Sequence, residues 1–143
     1  MDIRDYGLLI RSITANANQH ISKNIEPFGI KIGQFDYFLI ISMKPGINQL
    51  ELAKMKKVGK ASVTKALKIL EDQGFIERIP DESDRRNIRL YVTEKGASTV
   101  DDFMKVKEET EKLLFENFDE EEGEQFLASL NKLYKNSEKL FNK

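Results

Sequence analysis

Apolar positions near the start of the chain recur at helical spacing. Tyr6, Leu9, Ile10, Ile13, Ala17 and Ile21 fall at i, i+3, i+4, i+7, i+11 and i+15, one stripe of a long amphipathic helix. Pro27 and Gly29 predict its end. Ile32 to Met43 is strongly apolar and predicts a second helix, which Pro45-Gly46 stops. Asn48 and Glu51 form an N-x-x-E pair, so a short third helix is predicted from Asn48 to about Lys56 or Lys57. A fourth follows Gly59 to about Gln73, with Val63, Ala66, Leu67 and Leu70 as its stripe and Gly74 fitting the position just past its end.

The period then changes to two. Phe75 to Ile79 reads as a short strand, and Ile88 to Val92 alternates as a half-buried one. The loop between them is dense in charge. Thr93 stands where a helix N-cap would, before a long fifth helix carrying Val100, Phe103, Met104, Leu113 and Leu114. Asp119 and the three glutamates after it place acid where a helix dipole favours it, at the start of a sixth helix. That helix carries Phe126, Leu127, Leu130, Leu133, Tyr134, Leu140 and Phe141.

Two short helices joined by a tight turn, then a two-stranded hairpin, make a winged helix-turn-helix. The expected fold is mainly α with a small antiparallel β hairpin (α+β). We expect a winged helix lobe over residues 31–96 and a helical dimerisation lobe from 1–30 and 97–143, together one integrated domain. The flanking helices carry more apolar surface than so small a module covers, so a second copy of the chain is the simplest partner.

The 143 residues suffice for a domain with a real core. No apolar run approaches the roughly 20 residues of a membrane span, so no membrane partner is expected. The N-terminus lacks the features of a signal peptide, which makes the cytoplasm the expected location. With no cysteine there is no disulfide, thiol nucleophile or thiol redox sensor.

Charge sharpens the picture. The net charge of −1 hides a basic middle: residues 44–95 hold twelve basic and eight acidic groups, whereas residues 96–143 hold seven basic and twelve acidic. Residues 54–69 carry six lysines and no acid. Solvated helix faces usually mix signs, so a one-sign face points to a localised anionic partner.

Double-stranded DNA fits that face. With Val63, Leu67 and Leu70 inward, the fourth helix exposes Lys60, Ala61, Ser62, Thr64, Lys65 and Lys68. Short side chains near its start let it approach base edges in the major groove, while lysines and hydroxyls reach phosphates. In the hairpin loop, Asp84, Arg85, Arg86 and Asn87 form the second candidate group. Arginine at a loop tip suits a narrow minor groove, and Asp84 can orient one guanidinium while leaving the other free.

The stretch QLELAKMKKVGKASVTKALKILEDQGFIERIPDESDRRNIRLYVTEKG resembles the MarR family (multiple antibiotic resistance regulators) of transcription factors. DESDRR followed by IRLYVTEKG matches the family's wing signature, and ASVTKALKILEDQGFIER its recognition helix and first wing strand. The resemblance implies a homodimer whose first, fifth and sixth helices entwine. It implies a recognition helix in the major groove, a wing at the minor groove and a near-palindromic operator with half-sites about one helical turn apart. It also implies a repressor released by a small, often aromatic, acidic effector. Four positions depart from the family pattern. Lys56 and Lys57 stand where an apolar residue and Gly are frequent, with Met55 expected to supply the apolar contact. Gly59 replaces a capping Asp or Ser, and Ala61 replaces a common Ser, where it can favour a thymine methyl.

Catalytic and metal chemistry have no matching signal. The sole histidine, His20, reads as a polar residue of the first helix, and no phosphate-cradling Gly loop, nucleophile elbow or HExxH is present. No cofactor is expected. Tyr6, Phe28, Phe35, Tyr37 and Phe38 could line an effector pocket, but at helical spacing such residues are more often core. Two other classes stay open at this point. One is a winged helix that binds protein instead of DNA, and the other an enzyme using carboxylates only.

Overall fold

A computed structural model describes residues 2–57 and 59–142, without the side chains of Ile3, Phe141 and Asn142; the apolar role expected of Phe141 lies outside it. The elements are α1 (Tyr6–Ile25), α2 (Ile32–Met43), α3 (Gln49–Lys56), α4 (Lys60–Asp72), β1 (Ile76–Pro80), β2 (Ile88–Val92), α5 (Glu94–Leu114) and α6 (Glu120–Glu138). Short 3-10 turns flank α1 and extend α6 over Lys139–Asn142, so Leu140 lies beyond the helix proper. The chain divides into two compact units, residues 1–110 and 111–143.

In the first unit α2 is central, which explains its nearly continuous apolar sequence. Phe35, Tyr37, Phe38, Leu39 and Ile41 are all buried. Phe103 of α5 stands 5.6 Å from the Phe35 ring and 5.4 Å from that of Phe38, and Phe28 meets it edge-on at 5.1 Å. Inward residues of α4 (Val63, Ala66, Leu67 and Leu70) complete this core, as periodicity predicts. Three of the five aromatics considered for a pocket are therefore core, Phe28 packs against it, and Tyr6 is exposed.

Local chemistry sets the boundaries. Asn48 caps α3 by accepting from the Glu51 amide at 2.8 Å. Gly29, Gly46 and Gly74 all turn the chain with positive φ. At the end of α4 the Gly74 amide bonds the Glu71 carbonyl and the Phe75 amide bonds the Leu70 carbonyl, the reciprocal pair of a Schellman stop. This moves the first strand. Phe75 spends its N–H on the helix end, so pairing starts one residue later than its sequence suggests, with Ile76 opposite Val92, and runs to Pro80 opposite Ile88. On its other edge β2 also bonds residues 46–48, through Gly46 N–H to the Leu90 carbonyl and Leu90 N–H to the Ile47 carbonyl.

Thr93 joins the hairpin to α5. Its hydroxyl donates to the Gly74 carbonyl at 2.5 Å and accepts from the Gly96 amide at 3.0 Å. One turn on, Gly96 lies directly against the Phe75 carbonyl, Val92 and Phe38, where no Cβ fits. The Thr and Gly of TEKG are thus a cap and a close helix–strand approach.

The expected stripe of α1 is covered only toward its end. Ala17 and Ile21 are half-buried, but Tyr6, Leu9, Ile10 and Ile13 are exposed. In the second unit Phe115, Phe118 and Phe126 pack edge-to-face at 5.2–6.1 Å, and Asp119 caps α6 by accepting from the Glu122 amide. The apolar face of α6, with Leu127, Leu130, Leu133 and Tyr134, is exposed in the single chain.

Candidate nucleic-acid interface

Helix α4 begins at Gly59, whose extended backbone (φ −76°, ψ 160°) serves as an N-cap without a side chain. The amides of the first turn therefore keep their hydrogens for an outside acceptor. Lys60, Ala61, Ser62, Thr64, Lys65 and Lys68 are all exposed on one broad surface of the helix, the side opposite Val63, Leu67 and Leu70. Lys68 makes a loose exposed pair with Asp72 at 3.5 Å, a geometry worth little in water.

Thr64 is not a free hydroxyl. It donates to the Lys60 carbonyl at 2.8 Å and accepts from Gln49 Nε2 at 2.6 Å. Arg78 of β1 in turn donates to Gln49 Oε1 at 3.3 Å. One glutamine thus connects α3, α4 and the base of the hairpin. Periodicity does not single out Gln49 or Arg78; their roles depend on residues 15 and 29 positions apart coming together.

The turn between α3 and α4 explains two of the unusual lysines. Lys57 caps α3 in the left-handed region (φ 56°, ψ 40°), a conformation that favours Gly. Lys56 lays its half-buried stem toward α2, with its ammonium 3.0 Å from Asp36 and 5.4 Å from the centre of the Tyr37 ring. Met55, expected to supply an apolar contact, is 45% exposed and is not among the residues packed against the core. An N-capped α3 of eight residues turns Met55 to solvent and Lys56 to the core edge.

In the hairpin loop Asp81 is the hub. Oδ1 accepts from the amide and hydroxyl of Ser83, and Oδ2 accepts from Arg89 Nε at 2.9 Å. These donors, the Ser83 amide first, then its hydroxyl, then Arg89, hold the Asp81 carboxyl below its ordinary pKa. Arg89 also donates to the Gly46 carbonyl at 2.9 Å, tying the loop to the segment before α3. The D-x-S spacing could have revealed the Asp81 turn, whereas Arg89 reads in sequence only as the outward residue of a strand. At the tip, Asp84 accepts from the amide and Nε of Arg86, at 3.1 and 3.3 Å. Arg86 is thus the arginine that Asp84 contacts, and both Arg85 and Arg86 are exposed to solvent.

Helix and loop face a common space. An open cleft of about 650 Å³ is lined by Asn48, Gln49 and Lys60 on one side and by Asp84, Arg86 and Asn87 on the other. Of the ten expected site residues, Lys60, Asp84, Arg86 and Asn87 meet there; Ala61, Ser62, Thr64, Lys65, Lys68 and Arg85 do not line it.

A helix exposing cationic and small residues, beside an arginine-tipped hairpin, defines a winged helix-turn-helix. The MarR family model matches residues 30–88. An uncharacterized HTH-type transcriptional regulator, YybA of Bacillus subtilis (strain 168), is 32% identical over 96% of this chain and 89% of its own. The crystal structure of a MarR transcriptional regulator from Methanosarcina mazei Go1 matches with a TM-score of 0.90 and 33% identity, over 96% of this chain and 99% of that one. A MarR family regulator of Listeria monocytogenes complexed with 26mer DNA matches with a TM-score of 0.82 and 25% identity, over 95% and 88% of the two chains. The chain belongs to the MarR family of transcriptional regulators. Among the described residues no helix is long and apolar enough to cross a membrane, and no cluster of His, Cys, Asp or Glu is arranged to hold a metal ion.

Proposed function

We propose that the chain is a sequence-specific regulator of double-stranded DNA, acting in the cytoplasm as a homodimeric repressor that a small effector relieves. The observation that carries this reading is the placement of Lys60, at the start of α4, and the Asp84–Arg86 tip around one open cleft. Lys60, Ala61, Ser62, Thr64, Lys65 and Lys68 face the major groove, and Asp84, Arg85, Arg86 and Asn87 carry the wing to the minor groove. The lysines contact phosphate, which sets affinity and salt dependence but not sequence. Residues 31–96 act as the DNA-binding lobe, and residues 1–30 and 97–143 as the dimerisation lobe. The exposed apolar faces of α1 and α6 support a second copy as partner.

An open groove of about 520 Å³, lined by Ser22, Lys23, Glu26, Ile30 and Lys31, is the place where an acidic, partly apolar effector is expected. Ile32, half-buried at the rim, supplies the apolar contact there, and Lys23 and Lys31 the cations. Effector binding then favours one spacing of the two recognition helices.

Selection of bound duplexes from a random pool, at near-physiological salt, tests the reading. A recovered near-palindrome with half-sites about one helical turn apart supports it. Absence of enrichment, with the protein folded and dimeric, would overturn it in favour of a protein-binding winged helix.

A further inference from the structure

We propose that Thr64 is a specificity-determining residue which reads a thymine through its γ-methyl group, because Gln49 and the Lys60 carbonyl occupy its hydroxyl. The proposal rests on the DNA-binding reading above. Threonine in a recognition helix can offer either a hydroxyl, which suits several bases or a phosphate, or a methyl, which suits the C5-methyl of thymine. The surroundings of this side chain decide between them.

The single hydroxyl hydrogen is directed at the Lys60 carbonyl, 2.8 Å away. One oxygen lone pair faces Gln49 Nε2 at 2.6 Å. A hydroxyl has one donor and two acceptor positions, so donation is used up and half of the acceptance with it. Gln49 is itself held by Arg78 through its other amide atom, which fixes the amide's orientation. Thr64 nevertheless remains an exposed residue in the first two turns of α4. What remains unengaged is the methyl and one acceptor lone pair; thymine's major-groove edge offers no donor to that lone pair, so only the methyl can meet that edge. Ala61 lies three residues earlier and is also exposed, so two small apolar groups sit about 5–6 Å apart on this surface. Lysines at positions 60, 65 and 68 surround them and supply phosphate contact without base preference.

Uracil lacks only the C5-methyl of thymine, so it isolates this contact. The experiment is an operator duplex in which each thymine of one half-site is replaced singly by uracil, titrated with the full-length protein and with Thr64→Val and Thr64→Ser. Thr64→Val keeps a methyl and removes the hydroxyl; Thr64→Ser keeps the hydroxyl and removes the methyl. Burial of one methyl corresponds to about fourfold in affinity. Wild type should lose about that factor at one thymine, Thr64→Val should lose it at the same thymine, and Thr64→Ser should be indifferent there. The proposal is overturned if Thr64→Ser stays sensitive at every position at which wild type is, or if wild type is sensitive at none. It is equally overturned if Thr64→Val alone becomes indifferent, since the hydroxyl would then be the reader. Failure to bind any duplex would instead remove the DNA-binding reading, and this proposal with it.

Discussion

Arg89 donates through Nε to Asp81 at 2.9 Å, across the base of the wing, and through a second nitrogen to the Gly46 carbonyl at the same distance. One side chain thereby holds both the loop and the segment leading into α3. The Asp81 carboxyl is kept below its ordinary value, chiefly by Ser83 and then by Arg89. A carboxyl with a depressed folded pKa contributes stability above its unfolded value, about 3.9, and loses it as pH falls through the folded one. Asp81→Asn should therefore be less stable than wild type at pH 7, with the difference shrinking below about pH 4. Urea midpoints at pH 7 and pH 3 check this; a difference of equal size at both would mean that packing, not charge, is responsible.

Gly96→Ala sets two effects against each other. Alanine favours a helix by up to about 1 kcal/mol over glycine, and less in a first turn such as this one. The added Cβ, however, collides with the Phe75 carbonyl, which cannot retreat easily because it accepts from the Thr93 amide at 3.0 Å. Overpacking of this kind costs about 1–3 kcal/mol, and contact with backbone belongs at the upper end. A net loss of about 1–2 kcal/mol is expected in chemical denaturation. A stabilised variant would show that α5 shifts freely over the hairpin.

Lys57→Gly should have the opposite sign. A left-handed conformation costs a non-glycine residue about 1–2 kcal/mol, while glycine loses about 0.5–1 kcal/mol more backbone entropy on folding. The net gain expected is about 0.5–1 kcal/mol, read as a higher denaturation midpoint. No gain would indicate that the Lys57 side chain contributes as much as its backbone costs.

The two wing arginines should separate in DNA titrations. On the proposed reading Arg86, which Asp84 contacts, enters the minor groove, so Arg86→Ala should lower operator affinity and weaken preference for A·T pairs beneath the wing. Arg85→Ala should weaken binding to all sequences alike and reduce the salt slope by about 1. Equal effects of both substitutions on specificity would remove the distinction that Asp84 makes.

Alternation and helical spacing, together with Asn48, Gly59, Gly74, Thr93 and Asp119 at element ends, already define the helix–helix–hairpin order and the outward face of α4. These are local properties: a periodic stripe and a cap depend on residues within one or two turns. The pairing Ile76–Val92 also follows from neighbours, but it is displaced by one residue because the stop of α4 takes the Phe75 amide. What the chain's order of residues does not reveal is which polar groups are already occupied. That Thr64 is held by Gln49, that Arg89 rather than a tip arginine pairs with Asp81, and that Lys56 instead of Met55 lies toward the core edge all depend on segments far apart in sequence. Folding brings such groups within 3 Å or so, and only then does a hydrogen-bond donor become spent or free. The sequence alone therefore marks which residues are candidates to meet DNA, and the tertiary structure decides which chemical group each of them has left to offer.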